Sequence, residues 1–127
     1  MKKVSGRGSD CSIQQTLDVI GDRWLLLILR NLFRGARRFS QLENDLGIAK
    51  NLLASRLAKL VEAEIIVRVP YQERPVRHEY LLTQKGRDLS PSLVAMMRWG
   101  DRWCNEGEAP TLLVHSECGT PLDQVTR

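Results

Sequence analysis

The segment from Trp24 to Phe33 constrains the fold more than any other part of the sequence. Its apolar side chains cover a helix on nearly every side instead of forming one stripe, so this helix requires neighbours all around it. The longest purely apolar run, Trp24–Leu29, is far shorter than the roughly 20 residues of a membrane span. We therefore expect a central helix in a globular domain and no membrane span.

A second helix is expected just before this central one. Ile13, Leu17 and Ile20 recur at helical spacing. Gly21 then provides a stop signal, and Asp22 is a favourable N-cap because its carboxylate can accept backbone hydrogen bonds from the next helix. The pattern predicts two consecutive helices joined by a tight turn.

The next segment has the pattern of a helix-turn-helix. Ser40 and Glu43 are spaced as a capping box that would start a short helix, and Gly47 would end it. After a turn at residues 47–49 an apolar face marks a second helix, and two helices joined by a tight glycine-containing turn form this motif. The apolar face consists of Leu53, Leu57, Leu60 and Val61.

A β-hairpin and further helices are expected beyond the helix-turn-helix. Segments 65–71 and 78–82 are strand-like, and a polar tip containing Pro75 separates them. Thr83 then caps a helical segment, and Pro91 either starts a new helix or kinks a continuing one. The predicted fold is mainly α with a small β-hairpin. The last helix carries an apolar stripe of Leu93, Met96, Met97, Trp99 and Trp103.

Length and charge bound the organisation of the chain. With 127 residues and 43% hydrophobic side chains, one domain over residues 10–106 can bury a core, flanked by a flexible basic arm at 1–9 and a tail at 107–127. Residues 1–39 carry eight basic and three acidic side chains, and residues 65–87 carry five and two. Such clusters favour a polyanionic partner. Because the apolar core of a signal peptide is missing, we expect a cytoplasmic protein.

Several local phrases, in a fixed order over roughly residues 11–103, resemble the HxlR-type winged helix-turn-helix transcriptional regulators. The phrases are LDVIGDRW at 17–24, RFSQL at 38–42, Leu53 through Arg56-Leu57 to Leu60, EYLLT at 79–83 with Gly86, and Trp99-Gly100. The resemblance implies a homodimeric repressor or activator that binds double-stranded DNA. Since a two-fold dimer requires a two-fold site, the operator is expected to be an inverted repeat.

The resemblance also implies that the third helix supports the fourth, which reads the major groove, and that the wing reaches the backbone or the minor groove. Three positions depart from the family's pattern, the first being Ser12, which follows Cys11 where a proline is often found. Ala49 stands where a serine commonly caps the recognition helix, a loss of about 1 kcal/mol. Glu64 stands where a glycine usually precedes the wing, and a left-handed glutamate costs roughly 1–2 kcal/mol, so we expect a different turn there.

Candidate base-reading residues lie at the start of the predicted recognition helix. Lys50, Asn51 and Ser55 occupy its first turns, where side chains reach base edges, and Asn can pair bidentately with adenine. The alternative is a merely solvated helix face. Arg56 follows them, and it either grips a phosphate or forms an internal ion pair.

Further arginines flank this helix. Arg74 and Arg77 at or beside the hairpin tip suit a narrow minor groove, whose negative potential attracts guanidinium groups. Arg37 and Arg38 precede the third helix, and its positive N-terminus at Ser40 would help them to neutralise phosphates. A plain surface role is the alternative for all four arginines.

The apolar stripe on the last helix exceeds what a small domain needs for its core. Together with the first helix it predicts a homodimer interface. Another hypothesis keeps DNA binding and adds a small-molecule effector. The effector would bind in a pocket between the DNA-binding core and the dimer helices, lined by Trp24, Met97 and Trp99. Plain core packing is the remaining interpretation of these three side chains.

The three cysteines are odd in number and widely spaced, so no disulfide framework is expected. Cys11 lies at or just outside the start of the first helix, where the dipole favours a reactive thiolate; it either senses oxidants or electrophiles or packs inertly at the dimer interface. Cys104 is expected to pack. His115 and Cys118 resemble half of a zinc knuckle, but two ligands cannot close a tetrahedral site, so we expect no metal and no cofactor.

Motifs of catalysis are missing from the sequence. It contains no glycine-rich phosphate loop, no GxSxG and no HExxH, so we expect no enzyme. Two Phe and two Tyr without a stacking array do not favour single-stranded RNA. The rival from another class is a winged helix used as a protein-interaction module, since a fold does not fix a function.

Overall fold

The structure, a computed structural model, describes residues 11–105, and these residues form a winged helix-turn-helix in the predicted order of elements. This range contains six helices and one antiparallel two-stranded hairpin, and none of the helices is long and apolar enough to cross a membrane. The elements are α1 (Ser12–Ile20), α2 (Arg23–Phe33), α3 (Phe39–Leu46), α4 (Lys50–Glu62), β1 (Ile66–Glu73), β2 (Val76–Leu82), α5 (Gln84–Arg87) and α6 (Ser90–Cys104).

Helix α2 lies at the centre of the core, as its composition predicts. Its residues Leu25, Ile28 and Leu29 have no solvent-accessible surface, and α3, α4, β1 and α6 all add side chains to the same cluster. The buried face of α4 consists of Leu53, Leu57 and Leu60. Val61, predicted for this face, is 37% exposed and lies outside the core, because the helical period has already turned it towards solvent.

Helix α3 begins two residues earlier than the predicted capping box requires, since its N-cap is Arg38 and not Ser40. Phe39 is its first residue and packs, partly buried, against the core. The Gln41 side chain closes the N-terminus, since its Oε1 accepts hydrogen bonds from the backbone N–H groups of Arg37 and Arg38 at 2.9 Å each. The predicted box opened by Ser40 is therefore wrong, because the burial of Phe39 fixes an earlier helix start.

Helix α4 ends in a Schellman motif whose left-handed residue is Glu64, with φ of 63°. The N–H of Ile65 donates to the Leu60 carbonyl at 3.0 Å, and the N–H of Glu64 donates to the Val61 carbonyl at 2.9 Å. Leu60 and Ile65 are both buried. The expectation of a different turn at this glutamate is wrong, because these hydrogen bonds and this burial hold the strained conformation in place.

The hairpin is longer than predicted, and its turn is shorter. The strands extend to residues 73 and 76, so only Arg74 and Pro75 remain in the turn, and Arg77 lies beside the turn as the second residue of β2. A register shift in β1 leaves Tyr71 without a partner in the ladder. Such a bulge redirects the side chain that it carries.

Thr83 fastens the base of the hairpin. Its hydroxyl lies 2.7 Å from the Glu64 carbonyl oxygen and accepts from the Gly86 N–H at 3.1 Å, so it caps α5 as predicted. A Cβ atom at Gly86 would lie 2.3 Å from the Ile65 carbonyl oxygen, which shows how closely α5 approaches the root of the hairpin. Pro91 is the second residue of α6, so it starts a new helix and does not kink a continuing one.

Candidate nucleic-acid interface

The turn between α3 and α4 presents the first residues of α4 to solvent. Gly47 adopts a left-handed conformation with φ of 63° and ends α3. Ala49 is the N-cap of α4 and makes no side-chain capping bond, as the sequence predicts. Lys50, Asn51 and Ser55 follow on α4, and all three are exposed.

Four of the predicted DNA-contacting residues line one groove. Arg38 and Ser40 at the start of α3, Lys50 at the start of α4 and Arg77 on β2 border a cavity of about 500 Å³. Its lining carries three basic side chains and one acidic side chain, Glu43. The fold therefore brings distant parts of the sequence to one positively charged concave surface, which suits an anionic chain.

Arg38 is held against the wing. Its guanidinium carbon lies 4.2 Å from the centroid of the Tyr71 ring, and its Nε lies 3.6 Å from Glu79 Oε2. Beside it, the N–H of Tyr80 donates to the Arg37 carbonyl at 2.7 Å. These contacts set the position of the hairpin relative to α3. Reasoning from the sequence missed Tyr71 and Glu79, because no local pattern identifies partners that lie so far apart along the chain.

Arg56 forms an internal ion pair, one of the two alternatives that the sequence left open. Its Nε donates to Asp22 Oδ2 at 2.7 Å, and its Nη1 donates to Ser55 Oγ at 3.1 Å. Asp22 Oδ1 also accepts from the N–H of Trp24 at 2.6 Å, which caps α2. Burial disfavours a charge on Asp22, but the hydrogen bonds from Trp24 and Arg56 and the charge of Arg56 outweigh it and lower the pKa of Asp22.

The other predicted contact residues are exposed but do not line the groove. Arg37 precedes α3, Asn51 and Ser55 lie on α4, and Arg74 lies in the hairpin turn. The first turns of α4 are thus accessible, and exposed arginines flank them on the hairpin and in the loop before α3. This is the arrangement that docks a recognition helix in the major groove with contacts to the flanking backbone.

The apolar stripe on α6 divides into a buried and an exposed part. Leu93 is 8% exposed and belongs to the core, and Met97 is half-buried against it. Leu93 therefore offers little surface to a partner, in contrast to the remainder of the stripe. Large apolar side chains are exposed at Met96, Trp99 and Trp103 on α6 and at Ile13, Leu17 and Val19 on α1.

The described cysteines are both accessible. Cys11 is the exposed N-cap of α1, at the predicted position. Cys104 is the last residue of α6 and is exposed in the protomer, and that it packs stays a prediction. His115 and Cys118 lie outside the described residues. Within residues 11–105, no group of three or more His, Cys, Asp or Glu side chains could hold a metal ion.

The three residues predicted for a small-molecule pocket do not share one groove. Met97 lines a groove of about 300 Å³ between α2 and α6, but Trp24 and Trp99 are not among its lining residues. Arg30 on α2, Arg34 just after α2 and Asp101 on α6 border it beside the apolar side chains. Burial and the neighbouring charge of Arg34 lower the pKa of Arg30.

An exposed second helix beside a hairpin that carries exposed arginines is the arrangement of a winged helix-turn-helix domain. The model of the HxlR-like helix-turn-helix family matches residues 19–108, and the chain belongs to this family. It is therefore a transcriptional regulator with a helix-turn-helix DNA-binding domain.

Similar proteins are transcription regulators and not enzymes. The chain is 48% identical over 121 residues to an uncharacterised HTH-type transcriptional regulator of Mycobacterium tuberculosis. The alignment covers 94% of this chain and 77% of the relative. The crystal structure of PA1607, described as a transcription factor, has a TM-score of 0.76 and 43% identity, covering 93% and 83% of the two chains. The redox regulator HypR in its oxidised form has a TM-score of 0.67 and 32% identity, covering 72% and 96%.

Proposed function

We propose that the protein is a cytoplasmic homodimer that binds an inverted-repeat operator in double-stranded DNA. The observation that carries this proposal is the basic groove shared by α3, α4 and β2, next to the exposed first turns of α4. Helix α4 enters the major groove with Lys50, Asn51 and Ser55 at base edges. Arg74 at the hairpin turn reaches the adjacent minor groove or backbone.

The exposed apolar side chains of α1 and α6 support the two-fold assembly. Trp99 and Trp103 are each 64% exposed in the protomer, and Ile13 is 71% exposed. Large apolar surfaces of this kind usually mark interfaces. A dimer through α1 and α6 places two copies of α4 on one face of the DNA, with half-site centres about one helical turn, roughly 34 Å, apart.

The proposal is tested by sequencing the duplexes that the protein retains from a genomic library and then titrating the selected operator. Asn51→Ala should relax specificity at one position per half-site, and Arg74→Ala should weaken binding to every sequence and reduce the salt slope by about one. Lys50→Ala should weaken binding, whereas Lys59→Ala, the same change at the far end of α4, should not. Retention without sequence preference would favour the protein-interaction module and refute the operator.

The dimer is tested separately by light scattering at micromolar concentration. The unmutated protein should have the mass of a dimer, and Trp103→Glu should lower it, because a charge in a buried apolar contact costs several kcal/mol. A monomeric parent protein would contradict the arrangement of α1 and α6.

We further propose that modification of Cys11 changes operator affinity. Two observations support a sensing role: the thiol is exposed at the start of α1, beside the proposed interface, and the similar protein HypR is a redox regulator. A bulky or charged adduct there would strain one dimer geometry more than another and shift their populations. A small molecule in the groove between α2 and α6 is the second candidate signal, favoured by its apolar lining and by Arg30 and Arg34.

A further inference from the structure

Three side chains connect the turn between α1 and α2 to the reading face of α4. The Asp22 carboxylate receives a hydrogen bond from Arg56 Nε at 2.7 Å, and Arg56 Nη1 in turn donates to Ser55 Oγ at 3.1 Å. The side chains of Asp22 and Arg56 are 27% and 28% exposed, so water competes only partly for these contacts. The orientation of the Ser55 hydroxyl therefore depends on a residue outside the helix-turn-helix.

The hydrogen bond from Arg56 determines what the Ser55 hydroxyl can still offer to DNA. Because one lone pair of Oγ accepts from the guanidinium, the hydroxyl hydrogen is free to point away from Arg56 and towards an acceptor. The nearby positive charge further favours an acceptor over a donor. In the major groove the acceptors are purine N7, guanine O6 and thymine O4, and the donors are the amino groups of adenine and cytosine. N7 is the acceptor that both purines share, and we take it as the partner of the hydroxyl.

We propose that Asp22 and Arg56 position the Ser55 hydroxyl as a hydrogen-bond donor to a purine N7 at one base pair of each half-site. Arg56 is thereby a positioning residue and not a phosphate contact, since its charge is matched by Asp22 within the protein. This inference rests on the proposed function, because it requires α4 in the major groove. It adds a specificity determinant in the turn that precedes α2.

The experiment replaces each purine of the selected operator, one at a time, by its 7-deaza analogue, in which a C–H group stands at position 7. For the parent protein, one substitution per half-site should weaken binding about fivefold, the effect of one hydrogen bond. This sensitivity should vanish in Ser55→Ala and decrease in Asp22→Asn. Asp22→Asn keeps a side-chain oxygen to cap α2, and Asp18→Asn, the same change one turn earlier on α1, should behave like the parent.

Each outcome supports or overturns the inference. Full sensitivity in Asp22→Asn, or an unchanged pattern in Ser55→Ala, overturns it while leaving the operator assignment intact. A parent protein that selects no operator overturns the proposed function and the inference together. Thermal unfolding confirms that each variant is folded; if Asp22→Asn is not, Arg56→Lys tests the same point, since a lysine that stays on Asp22 has no second nitrogen for Ser55 and should lose the sensitivity.

Discussion

The left-handed glutamate at the end of α4 allows a substitution that should stabilise the protein. Glu64 has φ of 63°, a conformation in which a Cβ atom costs roughly 1–2 kcal/mol. Glycine removes this cost but loses about 0.5–1 kcal/mol more conformational entropy on folding. Glu64→Gly should therefore raise the free energy of unfolding by about 0.5–1 kcal/mol, because the hydrogen bonds of the Schellman motif are all made by the backbone.

Urea denaturation followed by tryptophan fluorescence measures this change. The protomer concentration must be held constant, since dimerisation would contribute to the apparent stability. Glu64→Ala is the matched control, because it removes the same carboxylate and keeps the Cβ atom. We expect Glu64→Ala to remain within about 0.5 kcal/mol of the parent.

Two results would refute the reasoning. If Glu64→Ala is stabilised as much as Glu64→Gly, the gain comes from the lost carboxylate and not from the relieved backbone. If Glu64→Gly is less stable than the parent, the left-handed conformation carries no cost at this position. A higher free energy of unfolding in Glu64→Gly but not in Glu64→Ala supports the backbone strain assigned to Glu64 in the Schellman motif.

Three further outcomes are expected. Gly86→Ala should lower the free energy of unfolding in urea by about 2–3 kcal/mol, because its Cβ would lie 2.3 Å from the Ile65 carbonyl oxygen, and a parental value would contradict this close approach. The pKa of Asp22 is lowered from its ordinary value of 3.8, so the stability that its carboxylate contributes is present above pH 3.8 and is lost as the pH falls through the folded-state value. Denaturation against pH should thus show a gap between the parent and Asp22→Asn that closes in acid; a gap independent of pH would argue against the ion pair. A mild oxidant or a quinone should weaken operator binding about tenfold for the parent and for Cys104→Ser but not for Cys11→Ser, and a response that persists in Cys11→Ser would leave that thiol as a packing residue.

Local sequence signals predicted the helix ends at which a single residue determines where the helix starts or stops. Asp22 was predicted to cap α2, and it does so because a carboxylate one residue before a helix has backbone N–H groups within reach. Gly47 and Thr83 were identified in the same way, as the end of α3 and the cap of α5. The order of helices and hairpin follows from such signals and from the apolar periodicity of the segments between them.

Contacts between distant segments could not be predicted in this way. The start of α3 depends on the burial of Phe39, which no capping pattern records. The partner of Arg56 and the stacking of Arg38 on Tyr71 depend on how the helices and the hairpin pack, and a single sequence does not specify this packing. For the same reason the α6 stripe could not be divided in advance into the buried Leu93 and its exposed members.

The hairpin is attached to the domain at its base only. Thr83 holds the base, the Tyr80–Arg37 hydrogen bond supports β2, and the turn lies at the opposite end. The length of the two strands therefore determines the distance between the Arg74 guanidinium and α4. Two more residues in each strand would carry that guanidinium about 6–7 Å further, which is close to the rise of about two base pairs along duplex DNA. In the proposed complex, a longer or shorter hairpin on the same root would therefore change the distance between the bases that α4 reads and the flanking position that Arg74 reaches.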